Sequence, residues 1–444
     1  MPNGSSRPKP DKDLKNEKNI ILFIGTVSSA ILESVKQLEK HIGQKYRNFL
    51  LTSLKRKIPD KVGKILEQAI RCQTDKIELI EKALVPYHDQ IAITICKYEA
   101  PMPLYARVVE LFPYLKNPTS HSVVVANDKL EMRKAFKRYA PQITPKFIRV
   151  KKITEVIIKK INEEVGFPCV IKPTNLSKSK LVITCYDKEE LLKNLEDAFR
   201  KIKSLYKKDF AETEPKIIVE QLMEGQMYSI DGYVNSYGKM FYTPIIEIKT
   251  GKDAGYDDLF MYTQITPSVI AKEEEAKAQD IVLKATHAVG LRSCTVHCEL
   301  MKTPKGWKVI ELASRTGGFR EELLYFSFGI RHNLNDFLIH LAKKPILKKT
   351  REMQTVFIKF WPHKAGKIKA INGLKKAQAL KSLVKFRQEK KVGDYAGLSK
   401  HGHTFIVGFT LCAKTRSELL ADIRKLEKWI NIETVKSELE LKKK

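Results

Sequence analysis

The chain has 444 residues, and at roughly 150 residues per domain that length exceeds one ordinary core and suggests about three domains. Hydrophobic residues make up 43% and charged residues 30%, with only 19 Pro and 21 Gly, which describes a globular protein and excludes a disordered or fibrous one. The 81 Lys and Arg against 51 Asp and Glu give a net charge of +30, enough to attract nucleic acid, anionic lipid or phosphorylated substrates; yet the basic residues are mostly Lys, spread along the whole chain, and solvated helix faces account for them as well.

Residues Met1 to Lys18, rich in Lys, Pro, Asn and Asp, read as a disordered lead-in without the apolar core of a secretory signal, so a cytoplasmic location is expected. From Asn19 apolar strand-like runs alternate with amphipathic helical ones. Ile20 to Gly25 reads as a buried strand, Ser28 to His41 as a helix, Phe49 to Thr52 as a strand, Asp60 to Cys72 and Ile77 to Val85 as helices, and Gln90 to Cys96 as a strand. Strands separated by helices imply a parallel sheet, hence a Rossmann-like first domain ending near Val125. The segment after the first strand reads GTVSSA, without the G-x-G-x-x-G of a dinucleotide site.

A helix over Asn127 to Tyr139, capped by Asn127 or Asp128, opens the next stretch. A turn or short strand at Thr144 to Phe147, a helix from Ile153 to Val165 and a strand from Phe167 to Lys172 follow. Then come a helix (Glu189 to Tyr206) and strands at Ile217 to Glu220, Ser229 to Val234 and Lys239 to Ile248. Gly251 to Ser268 shows no clear period and reads as a long functional or flexible loop, ahead of a helix from Ala271 to Val289. The tail contributes strands at Met353 to Phe360 and Phe405 to Leu411 and a helix from Ser417 to Trp429. No apolar run approaches the roughly 20 residues of a membrane-spanning helix, the longest resembling Ile20 to Ile24. The seven Cys form no CxxC pair and sit mostly in apolar runs, as reduced buried thiols do.

The most informative segment is a hairpin, CTVHCEL (Cys294 to Leu300) and WKVIEL (Trp307 to Leu312), joined by a turn containing Pro304 and Gly306. Symmetry about Lys305 places Glu299 opposite Glu311, and a strict period of two places His297, Glu299, Trp307, Val309, Glu311, Ala313 and Arg315 on one face. Facing carboxylates are destabilising unless a cation lies between them. Two carboxylates together with substrate phosphates suit Mg²⁺; a solvated surface hairpin whose acids never meet is the alternative. Arg315-Thr316-Gly317-Gly318 adds a fixed cation and a backbone able to approach an anion closely.

Asp128-Lys129, Phe167 to Pro173, Val219 to Asp231, His297 to Glu299 and Glu311 to Gly318 together resemble the motifs of ATP-grasp ligases in order and spacing, over roughly 126 to 340. The closest resemblance in character is to carboxylate-amine ligases, including the L-amino acid ligases. It implies an α/β and α+β multidomain chain: a disordered tail at 1–18, a Rossmann-like domain at 19–125, an ATP-grasp domain at 126–341 and a β-rich C-terminal subdomain at 342–444. By the same resemblance Lys129 and Lys172 reach ATP phosphates, and Ser177 and Ser179 lie in the phosphate loop, which lacks Gly here and which Lys178 or Lys180 supplements. Glu220, Gln221, Leu222 and Met223 form the adenine hinge, and Met227 stands where the family often has a ribose-binding Glu, with Glu224 or Gln226 as substitutes. Glu299 and Glu311 hold Mg²⁺, which Mn²⁺ can replace, and Arg315 holds the transferred phosphate or acyl intermediate. Arg320 joins Arg315 on a substrate carboxylate, and His297 orients Glu299, touches substrate or packs in the core. Ala313 replaces an Asn that helps bind metal, which puts a full two-metal arrangement in doubt.

The implied activity is an ATP-dependent, ADP-forming ligation in which a small-molecule carboxylate becomes an acyl phosphate and is captured by an amine. Positioning and charge neutralisation dominate such chemistry, so no Ser or Cys nucleophile is needed. Gly251 to Ser268 is the expected lid, with Asp253, Asp257 and Asp258 as solvated acids or readers of a cationic substrate. No membrane or nucleic-acid partner is expected, and oligomeric state is left open, a homodimer included. Two alternatives remain: a nucleotide-binding protein that has lost catalysis, and a polyanion-binding protein exploiting the positive charge.

Overall fold

A computed structural model describes residues 18–175, 181–209, 215–256, 260–399 and 403–435. Apart from Lys18, the expected disordered tail lies outside these residues, as do Ser177, Lys178, Ser179, Lys180, Asp257 and Asp258. The chain divides into two compact units between Asn117 and Pro118.

In the first unit, strands β1 (Ile20–Ile24), β2 (Arg47–Ser53), β3 (Gln68–Cys72) and β4 (Ile91–Ile95) form a parallel sheet in the order β3-β2-β1-β4. The connecting helices are α1 (Ser29–Ile42), α2 (Asp60–Gly63) and α3 (Ile77–Leu84), and α4 (Met102–Glu110) follows the last strand. All five residues of β1 are buried, as a central parallel strand with covered faces requires. The helix expected over Asp60 to Cys72 is corrected: it stops at Gly63, and Gln68–Cys72 pairs with β2 from Phe49 to Ser53. The ladder bonds offered by an exposed edge of β2 outweigh the helix-like spacing of Val62, Ile65 and Ala69.

The second unit opens with α5 (Ser120–Asn127) and α6 (Lys129–Tyr139). A four-stranded antiparallel sheet follows, in the order β5-β8-β6-β7, from β5 (Phe147–Val150), β6 (Cys169–Pro173), β7 (Ile183–Cys185) and β8 (Ile217–Gln221). Helices α7 (Glu155–Glu164) and α8 (Lys188–Asp209) bury Ile158, Ile161, Leu191 and Leu195 against it.

A nine-stranded sheet is the largest element. Its strands are β9 (Gln226–Val234), β10 (Met240–Tyr242), β11 (Ile246–Thr250), β12 (Met261–Thr266), β13 (Cys294–Thr303), β14 (Gly306–Ala313), β15 (Gln354–Phe360), β17 (Leu383–Gln388) and β19 (Val407–Ala413). Its path runs β14-β13-β9-β11-β12-β15-β19-β17, with β10 paired on β9. Helices α9 (Lys272–Ala288), α10 (Arg320–Phe328), α11 (His332–His340) and α13 (Arg416–Trp429) pack with it, α13 closed at its start by a Thr415/Glu418 capping box. Strands β16 (Gly366–Asn372), β18 (Tyr395–Ala396) and β20 (Asn431–Val435) form a small third sheet of this unit, and α12 (Leu374–Gln378) lies against α13.

Three further expectations are corrected. The strand over Lys239 to Ile248 is two strands, interrupted at Thr243-Pro244, where proline cannot donate to a ladder. The supposed lid at Gly251 to Ser268 contains β12, an interior strand bonded to both β11 and β15, and the Asp253 carboxylate accepts from Thr250 N and Oγ1 at 2.6 and 2.8 Å. Third, a one-residue irregularity in the β13–β14 hairpin alters which residues share a face. Glu299 faces Glu311, but Leu300 faces Val309, so Ile310 is the extra residue. Trp307 and Val309 therefore leave the acidic face and pack in the core with Cys298, Leu300 and Leu312. Among the described residues, no helix is long and apolar enough to cross a membrane.

Candidate active site

The register of the hairpin sets the two acids directly across the ladder from one another. Lys129 Nζ lies 3.3 Å from Glu311 Oε1, and His297 Nε2 lies 3.3 Å from Glu299 Oε1, so each carboxylate has a cationic or donor neighbour. Lys129 is placed by helix start chemistry: Asp128 caps α6 by accepting from Leu130 N (2.9 Å) and Glu131 N (3.3 Å), and Lys129 N donates to Thr174 O at 2.8 Å. Thr174 follows Lys172 and Pro173 at the end of β6, so this bond ties the two lysine-bearing segments together. Lys216 pairs with Asp128 at 3.0 Å, completing the junction.

Lys172 Nζ donates to Glu220 Oε2 at 2.8 Å. Glu220 is wholly buried, and its other oxygen accepts from Arg133 Nε at 2.7 Å. Burial alone would raise the Glu220 pKa, but the Arg133 and Lys172 charges outweigh it and hold the carboxyl at about 2. Arg133 also donates to Val309 O (2.9 Å) and Ile310 O (2.8 Å). One buried guanidinium thus links the hinge strand β8 to the bulge of β14 beside Glu311. Sequence reasoning missed Arg133, although its place on the buried side of α6 with Leu130 and Phe136 marks it as a charge that must be partnered.

A second buried chain supports Glu299. Tyr233 Oη bonds His332 Nδ1, His332 Nε2 lies 2.8 Å from Asp231 Oδ2, Asp231 Oδ1 lies 2.6 Å from His297 Nδ1, and His297 reaches Glu299. Gly317 N donates to Asp231 Oδ2 at 2.8 Å. A Cβ at Gly317 would sit 2.5 Å from His297 Nδ1, so the glycine is required by close approach. Burial pushes the Asp231 pKa up, but His297 and His332 overcome it and the carboxyl lies well below the usual range. His297 is lowered by burial and raised more by Asp231 and Glu299, for a net rise. Burial works against the Glu299 carboxylate, yet His297, Arg320 and Arg315 bring its pKa down. Asp231 and His332 were not singled out from sequence as site residues; an acid inside the apolar run YSIDGYV was the available signal.

Arg315 follows β14 near Glu299 and donates to Thr316 O at 3.0 Å. Arg320 is buried and held by Ser229 Oγ (2.8 Å), Gly318 O (3.1 Å), Gln264 Oε1 and, at 3.5 Å, Asp231 Oδ1. Gln221 is exposed at the end of β8, and Leu222 N donates to Pro168 O at 3.1 Å, with Met223 half-buried beside it. Met227 is buried in the core next to Ile248 and Met301, Glu224 is exposed, and Gln226 Nε2 is bonded to Ile248 O at 2.7 Å. Ala313 stands across from His297. Among the described residues no group of three or more His, Cys, Asp or Glu is arranged to hold a metal. The all-oxygen pair Glu299 and Glu311 nonetheless suits Mg²⁺, which needs only one or two protein carboxylates when substrate phosphates complete its shell.

Residues 165–321, which include Lys172, Glu220, Glu299 and Glu311, match the family model of the ATP-grasp domain. The alanine–anticapsin ligase of Bacillus subtilis (strain 168) is 30% identical over 210 residues, covering 44% of this chain and 42% of that protein. The D-alanine–D-alanine ligase of Bacillus velezensis is 26% identical over 206 residues, covering 44% and 53%. The chain thus spans about half the length of these curated relatives. The crystal structure of L-amino acid ligase from Bacillus licheniformis superposes with a TM-score of 0.76 at 18% identity, over 95% of this chain and 100% of that one, so the two share a mixed α/β fold.

Proposed function

We propose that the protein is an ATP- and Mg²⁺-dependent, ADP-forming carboxylate-amine ligase that activates a small carboxylic acid as an acyl phosphate and joins it to an amine. The observation that carries this reading is the Glu299–Glu311 pair across one ladder, with Lys129 against one acid and the Lys172–Glu220–Arg133 triad adjoining through the β14 bulge. The ligase names of the relatives agree with it. The proposed domain division keeps the ATP-grasp domain and the β-rich C-terminal subdomain of the resemblance, meeting at 341/342, within the second compact unit, and ends the first domain at Asn117 instead of near Val125, because α5 runs unbroken from Ser120 to Asn127.

In this mechanism Lys129 and Lys172 leave their carboxylate partners in part to neutralise ATP phosphates, with Ser177 and Ser179 adding donors as the resemblance implies. The backbone of Glu220 to Met223 borders the adenine, while the Glu220 side chain acts as counter-ion to Lys172. Glu299 and Glu311 would hold Mg²⁺, which supplies charge neutralisation for the phosphates. The substrate carboxylate oxygen attacks the γ-phosphorus as the bond to the ADP oxygen breaks. Arg315 stabilises the charge on the transferring group. The amine then attacks the acyl carbon, phosphate leaves, and a proton is lost from the nitrogen. ADP release from MgATP, measured across amino acids and dipeptides singly and in pairs, tests the reading. A nucleotide-binding chain without turnover is the second reading, favoured by Met227 and Ala313; it predicts MgATP binding with no substrate-dependent ADP.

A further inference from the structure

Lys359 on β15 is buried, yet among the described residues its Nζ has no carboxylate within ion-pair distance. Its neighbours are aromatic: Nζ lies 5.4 Å from the Trp361 ring centroid, 5.9 Å from Phe319 and 6.0 Å from Phe357. The Phe319 and Phe357 rings pack at 3.9 Å, and Phe405 closes the group at 5.9 to 6.2 Å from Phe357, Trp361 and Phe319. Gly408 stands opposite Lys359, and a Cβ there would meet Phe405 and Phe357 at 2.9 and 3.0 Å, so the glycine makes room for the rings.

The register places this lysine on the working side of the sheet. Directly opposed residues of an antiparallel ladder share a face. Met301, Met227, Ile248, Gln264 and Phe357 are successive partners across five strands, and Glu299 and Lys359 stand two residues from the first and last of them. Lys359 and Glu299 therefore share a face, and Gln264, between them on that face, binds Arg320. The cations around Lys359 are already engaged: Arg320 with Ser229 and Asp231, and Arg387 with Glu322. Weak cation–π contact with three rings does not replace the hydration that a buried ammonium loses. Burial and Arg320 push its pKa down to about 7, with Glu299 acting against them, and an anion beside it would restore the charged form.

We propose that Lys359, floored by Phe319, Phe357 and Trp361, is a carboxylate subsite that holds an unreacting carboxylate of an amino acid or related organic acid by an ion pair to Nζ. The inference deepens the ligase reading and rests on it. The carboxylate belongs either to the amine substrate or, as a second acid group, to the carboxylate donor.

The test is isothermal titration of the full chain, with MgADP present, against a panel of L-amino acids and dicarboxylic acids and their amides. The wild type is expected to bind a carboxylate at least tenfold more tightly than its amide. Lys359→Met, apolar and of similar length, should lose that preference, and Lys359→Arg should retain it. In ADP release, a KM raised at least tenfold by Lys359→Met for the amine assigns the carboxylate to the acceptor; a KM raised for the donor assigns it to the donor. Equal binding of acids and amides by the wild type, or an unchanged preference in Lys359→Met, overturns the subsite. Lys359-dependent carboxylate binding without ADP release from any pair would sink the ligase reading instead.

Discussion

Replacing Arg133 by Met removes a buried group that joins β8 to the β14 bulge. The guanidinium makes two bonds to Glu220 and one each to Val309 O and Ile310 O, with almost no exposure of either side chain. Breaking a buried ion pair from one side costs about 3–5 kcal/mol, and each buried carbonyl left without a donor adds up to roughly 1–3 kcal/mol. Lys172 remains on Glu220 and offsets part of this. A loss of at least about 4 kcal/mol is therefore expected, read as the fall in unfolding free energy in guanidinium, with calorimetry resolving separate transitions. The Arg133→Met, Glu220→Met double variant should lose less than the sum of its singles, because neither Arg133 nor Glu220 is then left buried without the other, and the loss of the Lys172 counter-ion is common to the Glu220→Met single and the double. MgATP affinity should fall as well, since the carbonyls that Arg133 holds lie next to Glu311. A single variant within about 1 kcal/mol of wild type, or strictly additive behaviour of the pair, would refute the linchpin role.

The remaining expectations are narrower. Lys172→Ala should weaken ATP binding at least tenfold by calorimetry, and wild-type affinity in that variant would move the phosphate site elsewhere. Gly317→Ala should be destabilised by about 1–3 kcal/mol and lose turnover because its Cβ collides with His297, whereas Gly318→Ala, which meets nothing within 4 Å, should be tolerated; equal behaviour of the two would contradict the close approach. The Glu220 carboxyl, held at about 2 against an ordinary 4.5, contributes about 3 kcal/mol at neutral pH. Because its folded pKa is the lower one, this contribution is present above about 4.5 and fades as pH falls toward 2. The stability gap between wild type and Glu220→Gln should therefore narrow across that window, and a constant gap would argue against the ion-paired carboxylate.

Local chemistry made much of the fold readable. The alternation and turn residues of Cys294 to Leu312 fixed the hairpin and the facing of Glu299 and Glu311, and Asp128 announced the start of α6. The bulge at Ile310 was not readable, because it depends on a guanidinium from a helix far away in sequence. Likewise β12 carries Thr263, Gln264 and Thr266 buried inside the sheet, where their polarity hides the alternation of a strand. Gln68–Cys72 looked helical because only its neighbour β2, and nothing in the segment, makes it a strand. Arg133, Asp231 and Lys359 share one signature, a charge within an apolar pattern, whose meaning appears only once the partners or their absence are in view.

The most direct test of the central claim is ADP release from MgATP by the full chain, over paired carboxylates and amines, with Glu311→Ala as control. The account predicts release that requires both partners and disappears in the control. Substrate-independent release, or release that survives Glu311→Ala undiminished, would contradict it.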